Sequence, residues 1–207
     1  MTGLRFRETM TGRIALRARD PVDGYGRVDG YAAVMHITID IPDVAAFTAG
    51  RVDAARLRAD VLIPVLGGRF QTSSGEFVCF RSGEGPDGTP VQQMIYTATL
   101  TNDDRVLEMS ARKVLEPRGW RIWRVWPDTT TLLVTLVDVT PDDDKERPRH
   151  LAGVVYITVR GFARQLTTMR PYGSRRWSEK LGALFGYLSF FAGRLIRIYL
   201  SRRMAAE

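Results

Sequence analysis

The chain has 207 residues, with 30 Lys and Arg against 23 Asp and Glu, two histidines and one cysteine. An apolar share of 44% and a charged share of 26% belong to a globular chain able to bury a core, which excludes wholesale disorder. One cysteine excludes an internal disulfide framework and a multi-cysteine zinc site, while the net charge of +7 leaves nucleic acid, an anionic membrane and an acidic partner open.

In chain order, the first 20 residues hold no apolar run of the secretory kind, so the expected compartment is the cytoplasm. Residues 5–18 alternate. Phe6, Met10, Ile14 and Leu16 share one parity, with Arg5, Arg7, Thr9, Thr11, Arg13 and Arg17 on the other. Period two with one apolar and one basic face predicts a half-buried strand. Asp20-Pro21-Val22-Asp23-Gly24 predicts a turn. Residues 31–41 alternate again, with Met35 among the apolar set, and Pro42-Asp43 stops them before a short helix over 43–50. Further strands are predicted at 58–66, 75–81, 91–101, 105–115, 129–139 and 151–160. Asn102-Asp103-Asp104 signals a hairpin, and 82–88 and 141–150 read as loops. About eight antiparallel-compatible strands with no long helix between them predict a mainly β domain over 1–170. Its expected form is an up-and-down barrel of the lipocalin type.

Over 171–207 the period changes to 3.6 and predicts one amphipathic helix from about Arg175, with Ser174 as its N-cap. Trp177, Leu181, Leu184, Leu188, Phe191, Leu195 and Ile198 form its main stripe. Phe190 and Tyr187 fall off that stripe, so the apolar surface wraps more than half of the helix. Residues 170–207 carry eight basic and two acidic side chains, whereas residues 1–169 carry 22 and 21. The basic character therefore belongs to the tail. Three readings stay open: a helix docked on the barrel, an interfacial helix at the inner face of a membrane, or a docking helix for another protein. In the latter two, Trp177, Phe190 and Phe191 supply apolar contact and Arg194 and Arg197 supply charge. The longest uncharged stretch near either end, Leu181–Gly193, falls short of the roughly 20 residues that a membrane span needs.

Three charged residues break the strand patterns. Glu8 has the parity of Phe6 and Met10, and Lys113 that of Leu107, Met109 and Ala111. Asp128 follows the aromatic run Trp120–Trp126. A buried charge must be paired or neutralised, so Glu8 and Lys113 are expected to pair inside the barrel. His36 shares a face with Thr38 and Asp40 and reads as exposed, and Cys79 between Val78 and Phe80 reads as a structural thiol. Ser73-Ser74-Gly75 is no nucleophile elbow, Gly24-Tyr25-Gly26 is no dinucleotide turn, and Walker motifs are absent. The Trp/Arg run could stack on bases, but the near-neutral body argues against nucleic acid.

Several phrases carry a resemblance. These are Phe6-Arg7-Glu8-Thr9-Met10-Thr11-Gly12, Ala111-Arg112-Lys113-Val114, Trp126-Pro127-Asp128-Thr129-Thr130-Thr131-Leu132, and Phe162–Arg170 followed by Phe190-Phe191-Ala192-Gly193. Together they resemble the accessory, non-flavin segment of bacterial cholesterol-oxidase-like proteins of the glucose–methanol–choline oxidoreductase superfamily. The resemblance implies a stand-alone relative of that segment, with no flavin or other cofactor and a sterol or lipid connection. The first expectation is a non-enzymatic barrel that binds a lipid-like or steroid-like ligand, or delivers one to an oxidoreductase. Phe6, Met10, Met35, Met109 and Trp126 would contact that ligand, and Glu8 and Lys113 would orient its polar end. The alternatives are a small cofactor-free enzyme using Glu8 or Asp128 as acid or base, and an interaction subunit with a filled barrel.

Overall fold

The computed structural model describes residues 1–85, 88–116, 125–141 and 149–200. Eight strands follow one another: β1 (Gly3–Leu16), β2 (Tyr31–Ile41), β3 (Ala54–Ile63), β4 (Gly68–Glu84), β5 (Pro90–Thr101), β6 (Val106–Leu115), β7 (Thr131–Asp138) and β8 (His150–Tyr156). Each pairs antiparallel with the next, and β1 also pairs with β8, which closes an up-and-down barrel. Closure leaves the strands few free edges. The alternating apolar residues of every strand point inward and merge into one core cluster. A ninth strand, β9 (Arg170–Tyr172), adds to β1 at Gly3–Arg5. It is fastened there by Asp40, which pairs with Arg5 at 2.9 Å and accepts the Tyr172 hydroxyl.

The described residues also hold five α-helices: α1 (Pro21–Gly26), α2 (Val44–Thr48), α3 (Val125–Thr130), α4 (Val159–Thr167) and α5 (Trp177–Leu200). The predicted turn at Asp20 is the start of α1, because the Asp20 carboxylate accepts the Val22 and Asp23 N–H groups and Pro21 suits a first helical turn. β3 begins four residues earlier than its pattern suggests. β4 is longer at both ends than 75–81, because bulges interrupt its alternation. The apolar run from 151 continues as a strand only to Tyr156. Thr158 then caps α4 by accepting the Gly161 N–H at 3.1 Å. Residues 86–87, 117–124 and 142–148 lie outside the described residues, and with them most of the Trp/Arg run and of the loop expected at 141–150.

The wall is not of even height. β7 and β8 have 8 and 7 residues against 17 in β4. β8 follows β1 only as far as Thr11, and β7 follows β6 only as far as Arg112. Below that level a window opens between β1 and β6. α4 closes it along β1, where Thr168 Oγ1 accepts the Arg7 N–H at 2.9 Å, and α3 packs beside it through Trp126 against Phe162. Above the window β1 and β8 approach closely. A Cβ on Gly153 would stand 2.1 Å from the Arg13 carbonyl oxygen and 2.5 Å from Ile14 Cα. Glycine is required there by contact with backbone, which cannot rotate aside. Gly153→Ala is therefore expected to cost about 1–3 kcal/mol, read as a lower urea midpoint at unchanged slope.

α5 lies across the lower mouth. Tyr187 meets Phe6 at 5.6 Å between ring centroids, Phe190 meets Phe47 of α2 at 6.2 Å, and Phe80 of β4 meets Phe190 and Phe191 at 5.8 and 5.3 Å. Tyr199 donates to Asp128 of α3 at 2.7 Å. The docked face runs through Leu184, Phe191, Leu195 and Ile198 of the main stripe and extends to Tyr187 and Phe190, which the sequence pattern sets off it. Trp177 and Leu181, which belong to the stripe, face outward. The helix is apolar on nearly all sides, so periodicity alone does not choose. The choice is made by the aromatic partners Phe6, Phe47 and Phe80. Phe80 reaches α5 because the β4 bulge holds it at φ 59°, a conformation that a bulky residue adopts only when its packing compensates.

Candidate functional site

Glu8 and Lys113 sit at the level of the window, Glu8 between the end of the β8 ladder at Thr11 and the β9 ladder at Gly3–Arg5, and Lys113 one residue past the last β7 partner, Arg112. Both face inward by the parity of their strands. With 5% and 2% of their surfaces exposed, they form an ion pair of 3.2 Å between Glu8 Oε2 and Lys113 Nζ. The same Oε2 accepts the Tyr96 hydroxyl at 3.1 Å, and Oε1 accepts Gln165 Nε2 at 2.9 Å. The ammonium also lies 5.3 Å from the centre of the Tyr96 ring. One carboxylate thus collects three donors from β5, β6 and α4. The cluster ties α4 into the window at the height where the ladder hydrogen bonds run out.

Burial pushes the Tyr96 phenol well above its ordinary range, and the Glu8 charge adds to the effect. Tyr187 is raised in the same way, by burial first and then by Cys79 and Glu8. Burial likewise pushes the Cys79 thiol up, which keeps it protonated and unreactive. These neighbours are therefore neutral hydrogen-bonding and packing groups at physiological pH.

The residues expected to line a ligand chamber divide. Phe6, Glu8, Met10, Met35, Met109 and Lys113 all point into the barrel, where the apolar ones belong to one packed cluster. Trp126 does not join them: it is partly exposed on α3, 5.1 Å from Phe162 between ring centroids. The two carboxylates offered as alternative acids or bases are engaged separately, Glu8 with its three donors and Asp128 with Tyr199 at the foot of α5. His36 is exposed, and its Nδ1 lies 3.1 Å from Thr9 Oγ1. Gln165, Tyr96 and Tyr187 are additions to the expected site residues. Gln165 escapes a reading by sequence because residues 161–170 receive no element from the pattern, which passes from a strand at 151–160 to the tail helix.

On α5 the outer side carries an exposed apolar row, Trp177, Leu181, Phe185 and Ile196, and Arg197 stands in the last turn. Gly182, Gly186 and Gly193 lie on this helix, and a Cβ added at any of them would meet nothing within 4 Å. Arg194 turns back so that its guanidinium lies 5.7 Å from the centre of the Phe190 ring. By length and composition α5 is long and apolar enough to cross a membrane, although the count of uncharged residues alone argues against it. Lys180, Arg194 and Arg197 break the uncharged run without removing its apolar faces.

No family model, curated protein or solved structure matches this chain. The likeness to an oxidoreductase accessory segment therefore rests on the residues quoted for it.

Proposed function

We propose that the chain is a non-enzymatic accessory module that works at an anionic lipid surface, held there by the outer face of α5. The observation that carries this reading is the exposure of that face: Trp177 is 73% exposed, Phe185 63%, Ile196 58% and Leu181 44%, on a helix whose other side is already docked. Keeping such a row in water is unfavourable, and a lipid surface offers it an apolar boundary. The surplus of arginine in the tail matches anionic head groups, each worth about 1 kcal/mol near such a surface. The surface is favoured over a span because Tyr187, Phe190, Phe191 and Tyr199 are engaged by the barrel, α2 and α3, and a crossing helix would forfeit those contacts. Lipid contact is assigned to α5, since Phe6, Met10, Met35 and Met109 already pack within the barrel core. The lipid connection implied by the resemblance is compatible with either seat.

Co-sedimentation with vesicles of phosphatidylcholine and phosphatidylglycerol tests the reading. The wild-type chain is expected to pellet with the mixed vesicles, to be released by alkaline carbonate, and to bind pure phosphatidylcholine weakly. The triple variant Trp177→Ser/Phe185→Ser/Ile196→Ser changes only exposed side chains. It is expected to lose at least about tenfold in partitioning. Equal pelleting by both forms would reject the membrane role, and retention after carbonate would indicate a spanning helix instead. Lipid found by mass spectrometry in stoichiometric amount on the purified triple variant would return the ligand to the barrel interior.

A further inference from the structure

A cleft of about 1050 Å³ lies on the outside of the barrel and is lined by no residue of α5. Its floor is the outward face of β1, β2 and β3 at the level where Glu8, Ile37 and Ala59 stand side by side in register. One wall is α4. The other is the bulge of β4, where Ser73 and Ser74 lie between the ladder pairs Ala59↔Thr72 and Leu57↔Gly75, opposite Arg58. Bulges of this kind re-aim side chains, and here the extra residue lifts two hydroxyls toward the cleft.

The charge in the cleft is one-sided. Arg7 from β1, Arg58 from β3, and Arg160 and Arg164 from successive turns of α4 all line it, together with His36. The lining includes two carboxylates, and both are engaged. Asp60 pairs with Arg69 at 3.3 Å, and Glu8 is held by its interior donors. None of the four guanidiniums makes an ion pair among the described residues. Four guanidiniums against the single outer carboxylate of Asp60, itself paired with Arg69, leave the cleft with a positive excess that suits a multiply charged anion. Guanidinium forks match phosphate oxygens two at a time, and the Ser and Thr hydroxyls around them add neutral donors. A monocarboxylate would satisfy one fork and leave the rest. Gln165 Oε1, buried at the inner edge of the cleft, lacks a hydrogen-bond partner and suits a hydroxyl donor on the same ligand.

We infer that this cleft binds a phosphorylated small molecule or head group, its anionic oxygens shared between Arg7, Arg160 and Arg164 on one side and Arg58 with the Ser73–Ser74 bulge on the other. The inference does not depend on the membrane role of α5. The chemistry is common to a soluble organic phosphate and to the phosphomonoester of a lipid, and the test separates them.

Titration calorimetry with inorganic pyrophosphate at roughly physiological salt is the first arm. Pyrophosphate is expected to bind the wild-type chain at least about tenfold more tightly than acetate, and Arg58→Gln/Arg164→Gln to lose about tenfold or more. Both replaced side chains are exposed, so the fold should be retained, which circular dichroism checks. Arg112→Gln, exposed on β6 outside the cleft, is expected to leave binding unchanged. No binding by the wild type, or equal losses in the Arg112 and the double variants, would overturn the proposal. So would tighter binding of a short RNA oligonucleotide than of pyrophosphate, which would make the cleft a nucleic-acid surface. In the second arm, vesicles with phosphatidic acid are compared with phosphatidylglycerol vesicles of matched charge. A phosphatidic acid preference that is lost in Arg58→Gln/Arg164→Gln assigns the lipid source, and pyrophosphate binding without that preference assigns the soluble one. Retention of pyrophosphate binding by the α5 triple variant separates failure of the membrane reading from failure of this one.

Discussion

Lys113→Met alone is expected to lower folding stability by about 3–5 kcal/mol, because it leaves the Glu8 carboxylate buried without its cation. The geometry leaves Glu8 little escape: Oε2 and Oε1 are held by Tyr96 and Gln165 from two other elements, in a residue with 5% of its surface exposed. Chemical denaturation should read the loss as a fall in midpoint with little change in slope. The double variant Glu8→Leu/Lys113→Met is expected to recover part of that loss. It removes both charges but strands the Tyr96 hydroxyl and the Gln165 amide, each at a cost of about 1–3 kcal/mol. A single-variant loss of only a few tenths would mean that the pair is solvated, and losses that simply add in the double variant would mean that the two groups are not coupled.

Alkaline unfolding should begin near the ordinary tyrosine range and steepen above it. In the unfolded chain tyrosine ionises near pH 10, while burial holds Tyr96 and Tyr187 protonated in the native state to well above that. Above about pH 10 the native state therefore holds more protons than the unfolded state, and stability falls as pH rises. Below that range the contribution is fully present. Each tyrosine should remove roughly 1–1.5 kcal/mol per pH unit until its native form also ionises. Tyr172, pushed up to about 12 by burial and by its bond to Asp40, adds a smaller contribution of the same sign between 10 and 12 because it is more exposed. Tyr187→Phe keeps the ring against Phe6 and removes one phenol. Its stability at neutral pH should change little, and its alkaline slope should be shallower. An unchanged slope would remove Tyr187 from the account, and a phenolate titration near pH 10 in the folded protein would remove burial as the cause.

The barrel is legible in the sequence because its signal is local. Strict alternation in 5–18, 31–41 and 91–115 needs no knowledge of the rest of the chain, and parity alone sets Glu8 and Lys113 on the inner face. What cannot be read depends on contacts between distant segments. β4 hides half its length because two bulges shift its period, and α4 hides because Val154, Val155 and Ile157 lead into it without a break in apolar character. Gln165 becomes part of the Glu8 cluster only through the stopping point of β8, which no window of sequence reveals. The docked face of α5 is legible in part: Leu184, Phe191, Leu195 and Ile198 of the predicted stripe pack against the core, but its extension to Tyr187 and Phe190 is not. Tyr187 and Phe190 bury themselves because Phe6, Phe47 and Phe80 wait at the barrel mouth, while the tail by itself is apolar nearly all round.

The uneven wall also dictates an order of assembly. β1 finds its β2 partners 17 to 37 residues downstream, yet its opposite edge is completed by residues 151–156 and 170–172, and Glu8 waits for partners 88, 105 and 157 residues away. During synthesis the first seven strands can form only an open, twisted sheet, with the hydrogen-bonding edge of β1 bare and a carboxylate facing what will become the interior. Closure must await the late segments, so folding is governed by long-range contacts and is slow for a chain of this size. Over that interval the bare β1 edge is the molecule's point of exposure to strand exchange with a second nascent copy.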